Sequence, residues 1–126
     1  MFDVTVEERI LSAYLECALW SSTNDDAEFL DENYSVEDFA PETLAEIREE
    51  LSDFLSQTEK ILETELELRT LTPEGIGHDF WLTRNRHGAG FWDRGLGMAG
   101  KTLTAYAHTW GECNLFAGDD GLIYAN

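Results

Sequence analysis

The sequence predicts an α+β domain, with two N-terminal acidic helices followed by a β-β-α-β-β unit that carries a small antiparallel sheet. Three observations predict it. Through the first half, apolar residues recur three and four positions apart, the period of a helix with one buried face. The second half has short aromatic runs punctuated by glycine, and closes on two apolar runs around Gly118-Asp119-Asp120-Gly121, a strong turn signal. Between the halves stands Thr72-Pro73-Glu74-Gly75, where proline cannot continue a helix and glycine follows. A chain of 126 residues is the size of one core. Residues 1–126 therefore read as a single domain, with an acidic helical half at 1–69 and a hairpin, helix and C-terminal hairpin half at 70–126.

The elements follow in order. Thr5-Val6-Glu7-Glu8 has the form of a capping box and predicts a helix over 6–20, with Ile10, Leu11, Tyr14, Leu15 and Ala18 on its apolar stripe. Cys17, beside that stripe, reads as a small buried hydrophobe. Residues 21–40 mix turn formers and acids with aromatics at no sustained period, which predicts a loop pinned to the core. Its acids lack the alternation and central glycine of a calcium loop. Pro41 suits a first helical turn, and one helix is expected over 41–67, about 40 Å long. Leu44, Ile47, Leu51, Phe54, Thr58 and Ile61 mark its inner stripe. Its outer face offers Glu46, Glu49, Glu50, Asp53, Glu59 and Glu63. Residues 80–83 and 90–92 read as short strands around a hairpin loop at 84–88. A last helix over 97–110 and closing strands at 113–117 and 122–125 complete the chain.

Charge is the strongest compositional signal. The chain has 26 acidic and 8 basic residues, a formal net charge of −18. Residues 1–69 contribute −16 of this and residues 70–126 only −2. Such a field repels phosphate backbones and anionic bilayers, so neither direct nucleic-acid binding nor membrane association is expected, and partners with basic grooves are favoured. Two cysteines without CxxC spacing, and no cationic, apolar leader, fit a reducing cytoplasm. No apolar run of about 18 residues is present to span a bilayer.

Chemistry concentrates in GIGHDFWLTRNRHGAGFWDRGLG, residues 75–97. A hairpin there would bring His78 and Asp79 near His87 and Asp93, residue types that bind zinc, iron or manganese. His78, Asp79 and His87 are likewise the acid/base candidates if the site is enzymatic. The spacing matches no metal motif of known geometry, and capping or loop roles are the alternative. Arg84, Arg86 and Arg94 offer an anion site beside glycine-rich turns, or else pair internally with the acidic helices. GLGMAGKT at 95–102 has the letters of GxxxxGK[ST], and its first six those of GxGxxG, while GxSxG is absent; the expectation for the chain is nonetheless no cofactor.

GHDFWLTRNRHGAGFWDRGLG, with Leu103-Thr104, the closing Gly118-Asp119-Asp120-Gly121-Leu122-Ile123-Tyr124 and the acidic stretch 30–44, resembles a family of small acidic proteins encoded by tailed bacteriophages and related mobile elements. The family commonly has glycine where this chain has Arg86. The resemblance implies an origin and a bacterial host cytoplasm, and no reaction. It also raises the expectation of an anti-defence role, since small acidic phage proteins include inhibitors that occupy DNA-binding grooves. The leading expectation is thus a non-enzymatic interaction protein, a possible DNA mimic, whose face of Glu46, Glu49, Glu50, Asp53, Glu59 and Glu63 engages a basic protein. A metal- or anion-binding hairpin is the alternative, and the oligomeric state is left open.

Overall fold

A computed structural model describes residues 2–126. Among these residues, five α-helices and one two-stranded antiparallel sheet make up the fold: α1 (Val4–Ser21), α2 (Pro41–Gln57), α3 (Glu59–Glu67), α4 (Pro73–Arg84), α5 (Met98–His108), β1 (Leu115–Ala117) and β2 (Ile123–Ala125). The α+β class and the closing hairpin agree with the sequence reading. The central hairpin does not. Residues 80–83 lie inside α4, and 91–93 form a single 3-10 turn, so the predicted β-β-α-β-β order reduces to helix, turn, helix and one hairpin.

The reason lies in burial and capping. α4 is buried nearly all round, residues 79–84 without a break, a run that strands and buried helices share, and Thr72 caps the start by accepting from the Gly75 amide at 3.0 Å. Pro73 then occupies the first helical turn, where its missing N–H is not needed. The same Thr-Pro pair that ends the acidic half therefore begins α4. At the other end of the chain, α1 is capped by Asp3 rather than Thr5, the Asp3 carboxylate accepting from the Val6 amide at 2.9 Å. The expected 41–67 helix is two helices. Thr58 departs from helical geometry at φ −113° and ψ 13°, and its buried hydroxyl donates to the Phe54 carbonyl at 2.8 Å.

α4 is the centre of the molecule. Its most extensive contact is with α1, and the closeness of that crossing depends on Gly77. A Cβ there would stand 2.2 Å from the Ile10 carbonyl oxygen and 2.8 Å from the Tyr14 nitrogen, so only glycine admits the approach. Around the crossing an aromatic cluster fills the core. Phe80 stacks on Phe54 at 4.2 Å between centroids, Tyr14 meets Trp81 edge to face at 5.4 Å, and Trp110 stands edge-on to both Phe54 and Phe80. Residues 21–40 cross the surface as a loop with two 3-10 turns, anchored by buried Leu30 and Phe39. No helix among the described residues is long and apolar enough to cross a membrane.

Candidate functional site

The chemistry-rich stretch is turned inward. Arg84, on the last turn of α4, is 3% exposed and donates from every guanidinium nitrogen. Nε donates to the Gly111 carbonyl at 2.9 Å, and Nη1 to the Tyr14 hydroxyl and Glu50 Oε1, both at 3.1 Å. Nη2 donates to Glu50 Oε2 at 3.4 Å and the Trp110 carbonyl at 3.3 Å. Five contacts match the five N–H groups a guanidinium has. The group also lies over the Phe80 ring. Arg84 thus ties α1, α2, α4 and the segment after α5 together, and no donor is left for an external anion.

Asp79 and Arg94 form a second tie. Asp79 is 1% exposed, and its carboxylate receives Arg94 Nη2 at 2.7 Å and Nε at 3.1 Å, a bidentate pair that raises the Arg94 pKa. The pair clamps the 90–97 segment onto α4. Its neighbour Asp93 caps that segment by accepting from the Gly90 amide at 3.1 Å. Thr83 accepts from the Phe91 amide at 3.1 Å, a contact for which Gly90 is required, because a Cβ there would lie 2.3 Å from the Thr83 hydroxyl. Asn85 accepts from the Cys113 amide at 2.8 Å and donates to the Trp81 carbonyl at 2.9 Å, while the Trp81 indole donates to the Ser21 hydroxyl.

The four ligand candidates are therefore dispersed by function within the fold. Asp79 is spent on Arg94 and Asp93 on a turn. His87 is exposed beyond the end of α4, and His78 is half-buried on the α1 side, lining a shallow groove of about 650 Å³ with Arg9, Glu16 and Glu74. Among the described residues no group of three or more His, Cys, Asp and Glu side chains is placed to hold a metal. The anion set of Arg84, Arg86 and Arg94 is not assembled either: two are paired internally, and only Arg86 is exposed without such a role. Neither cysteine is activated. Burial pushes the Cys17 thiol up to about 12, with Asp79 adding to the shift, and raises Cys113 as well, so both stay protonated at neutral pH.

The acidic face is redrawn rather than removed. Glu46, Glu49 and Asp53 are exposed on α2, and Glu42, which the sequence reading left out, completes the series. The four stand at i, i+4, i+7 and i+11, a single stripe over about 16 Å of helix. Glu50 is not part of it: half-buried, it is the carboxylate that neutralises Arg84. Glu59 and Glu63 lie on α3, beyond the break at Thr58, and do not continue the α2 stripe as one ridge. The signal for Glu42 was present, since it sits one turn before Glu46. Nothing in the sequence marks Glu50 as internal, because its partner is 34 residues away.

No protein-family model matches the chain, and neither does any curated protein or solved structure.

Proposed function

We propose that this protein is a non-enzymatic interaction protein that engages a basic protein through the α2 stripe of Glu42, Glu46, Glu49 and Asp53. The observation that carries the reading is the stripe itself. Like charges at helical spacings of three and four destabilise a helix by about 0.2–0.5 kcal/mol per pair. The stripe contains three such pairs and, among the described residues, no cation is paired to it. The four arginines that do form ion pairs serve Glu8, Glu50, Glu74 and Asp79 and Asp93 elsewhere. A row of carboxylates kept at the expense of helix stability is suited to a basic groove, such as that of a nucleic-acid-binding or host-defence protein. The resemblance to small acidic phage proteins implies the same kind of partner, met in a bacterial host cytoplasm.

The test is an affinity capture from bacterial lysate with the wild type beside Glu46→Lys/Glu49→Lys/Asp53→Lys, at low and high salt. The expected result is a nucleic-acid-binding protein retained by the wild type, released by salt and absent with the triple variant. A partner that binds both forms equally would remove the stripe from the interface.

A further inference from the structure

Backbone hydrogen bonding in the closing hairpin leaves the β1 edge open. β1 and β2 pair with Leu115 opposite Ala125, Phe116 opposite Tyr124 and Ala117 opposite Ile123. Asn114 and Asn126 exchange both of their backbone bonds, at 3.0 and 3.2 Å, which fixes the phase of the ladder. In an antiparallel pair the bonded positions alternate, so the N–H and C=O of Leu115 and Ala117 turn away from β2. The same alternation turns Ile123 away from β1, and there its carbonyl accepts from the Ala40 amide at 2.9 Å, so the β2 edge is covered at Ile123. On the β1 edge, no group among the described residues bonds to Leu115 or Ala117. Ala117 is exposed to water. Leu115 is 8% exposed, and its outward backbone groups have no hydrogen-bond partner among the described residues.

A second edge lies beside it. Leu30 donates to the Ser22 carbonyl and Asn24 to the Glu28 carbonyl, each at 2.9 Å, so Thr23, opposite Phe29 in an antiparallel bridge, turns its backbone groups away in the same manner. Thr23 and Leu115 line one recess of about 270 Å³. Ser22, His87, Glu112 and Asn114 line it too, and none of their side chains has a hydrogen-bond partner among the described residues. The recess is therefore polar, bordered by two strand-like edges with unused backbone groups, and carries one carboxylate.

We propose that this recess takes an extended, basic peptide segment of a partner protein by strand addition, pairing its backbone with Leu115 and Ala117 on one side and Thr23 on the other. The charge argument chooses the occupant: Glu112 lies in the recess and the molecule has a net charge of −18, so a cationic strand is drawn in and an acidic one repelled. The polar lining favours hydrogen-bonding side chains over large apolar ones. This site is separate from the α2 stripe and stands or falls without it.

The probe is a short peptide of alternating threonine and lysine, beside the same peptide with N-methylated backbone amides and a glutamate-for-lysine counterpart. Amide hydrogen exchange is followed residue by residue. The expected result is that the lysine peptide slows exchange at Leu115, Ala117 and Thr23 by tenfold or more at saturation, that the N-methylated and glutamate peptides do not, and that Glu112→Lys weakens the lysine peptide while leaving the fold and exchange elsewhere unchanged. Slow exchange at Leu115 and Ala117 in the free protein at every concentration would overturn the proposal, because the edge would already be satisfied. Protection that grows with protein concentration alone would overturn it too, identifying a second copy as the occupant. Binding of all three peptides alike would show adhesion without strand pairing.

Discussion

Arg84 shows how a residue that looks like a ligand-binding group can be wholly consumed by the fold. A guanidinium at 3% exposure is tolerated because five acceptors surround it, and each of those acceptors is itself held by Arg84. Removing it leaves the Tyr14 hydroxyl, two carbonyls and the Glu50 carboxylate facing a space without a donor. Arg84→Met, similar in length and apolar, is therefore expected to lower unfolding stability by about 3–5 kcal/mol, read as a fall in the urea midpoint. Arg84→Lys will not restore it, because a single ammonium cannot span acceptors arranged for a planar fork. An Arg84→Met variant as stable as wild type would mean that the cluster is dispensable and its conservation of donors incidental. Asp79 follows the same logic with one partner instead of five, and its burial explains why it is unavailable to a metal.

At the scale of the element, α4 decides how far the sequence could be read. The closing hairpin and α1 were legible because each carries its own punctuation: Gly118 to Gly121 for the one, an early cap and a 3.6-residue stripe for the other. α4 was not, because its apolar run 80–82 is short and aromatic, a pattern shared by strands and buried helices, and because its end is disguised. Arg86 donates to the Thr83 carbonyl and His87 to the Leu82 carbonyl, the pair of bonds of a Schellman ending, with Arg86 in the left-handed position at φ 56°. Glycine there would have announced a helix stop; arginine made the segment resemble a hairpin loop. Arg86→Gly removes a left-handed strain of about 1–2 kcal/mol and adds about 0.4–1 kcal/mol of unfolded-chain entropy. The variant is expected to match or exceed wild-type stability, whereas Arg86→Val, β-branched at a positive φ, falls clearly below it. Equal losses for glycine and valine in thermal unfolding would show that the arginine side chain, and not its backbone conformation, matters here. The ion-pair partners within the candidate site were illegible for a different reason: Glu50 with Arg84 and Asp79 with Arg94 are tertiary pairs, and no local period encodes which acid of many a given arginine will find.

The whole molecule is organised by a conflict between charge and stability. With −16 in residues 1–69, the helices carry repulsion that the fold does not relieve at the α2 stripe, while the arginine ties operate in and around α4. Substituting Glu46→Gln and Glu49→Gln together eliminates all three like-charge contacts of the stripe, worth about 1 kcal/mol in total at low ionic strength. A domain of this size then gains about 4 °C in Tm. The gain has a salt signature. Raising ionic strength from about 0.01 to about 1 M shortens the screening length from about 30 to about 3 Å, so wild-type Tm rises and its difference from the variant closes. If the stripe is retained for binding, the same double variant is more stable and less able to capture its partner, and salt moves the wild type in both directions at once, upward in Tm and downward in binding. A variant that gains stability while holding its partner at full strength would assign the stripe to solubility alone. No gain in Tm at low salt would mean that the carboxylates are already relieved by counter-charges, and the argument from retained strain would lose its basis.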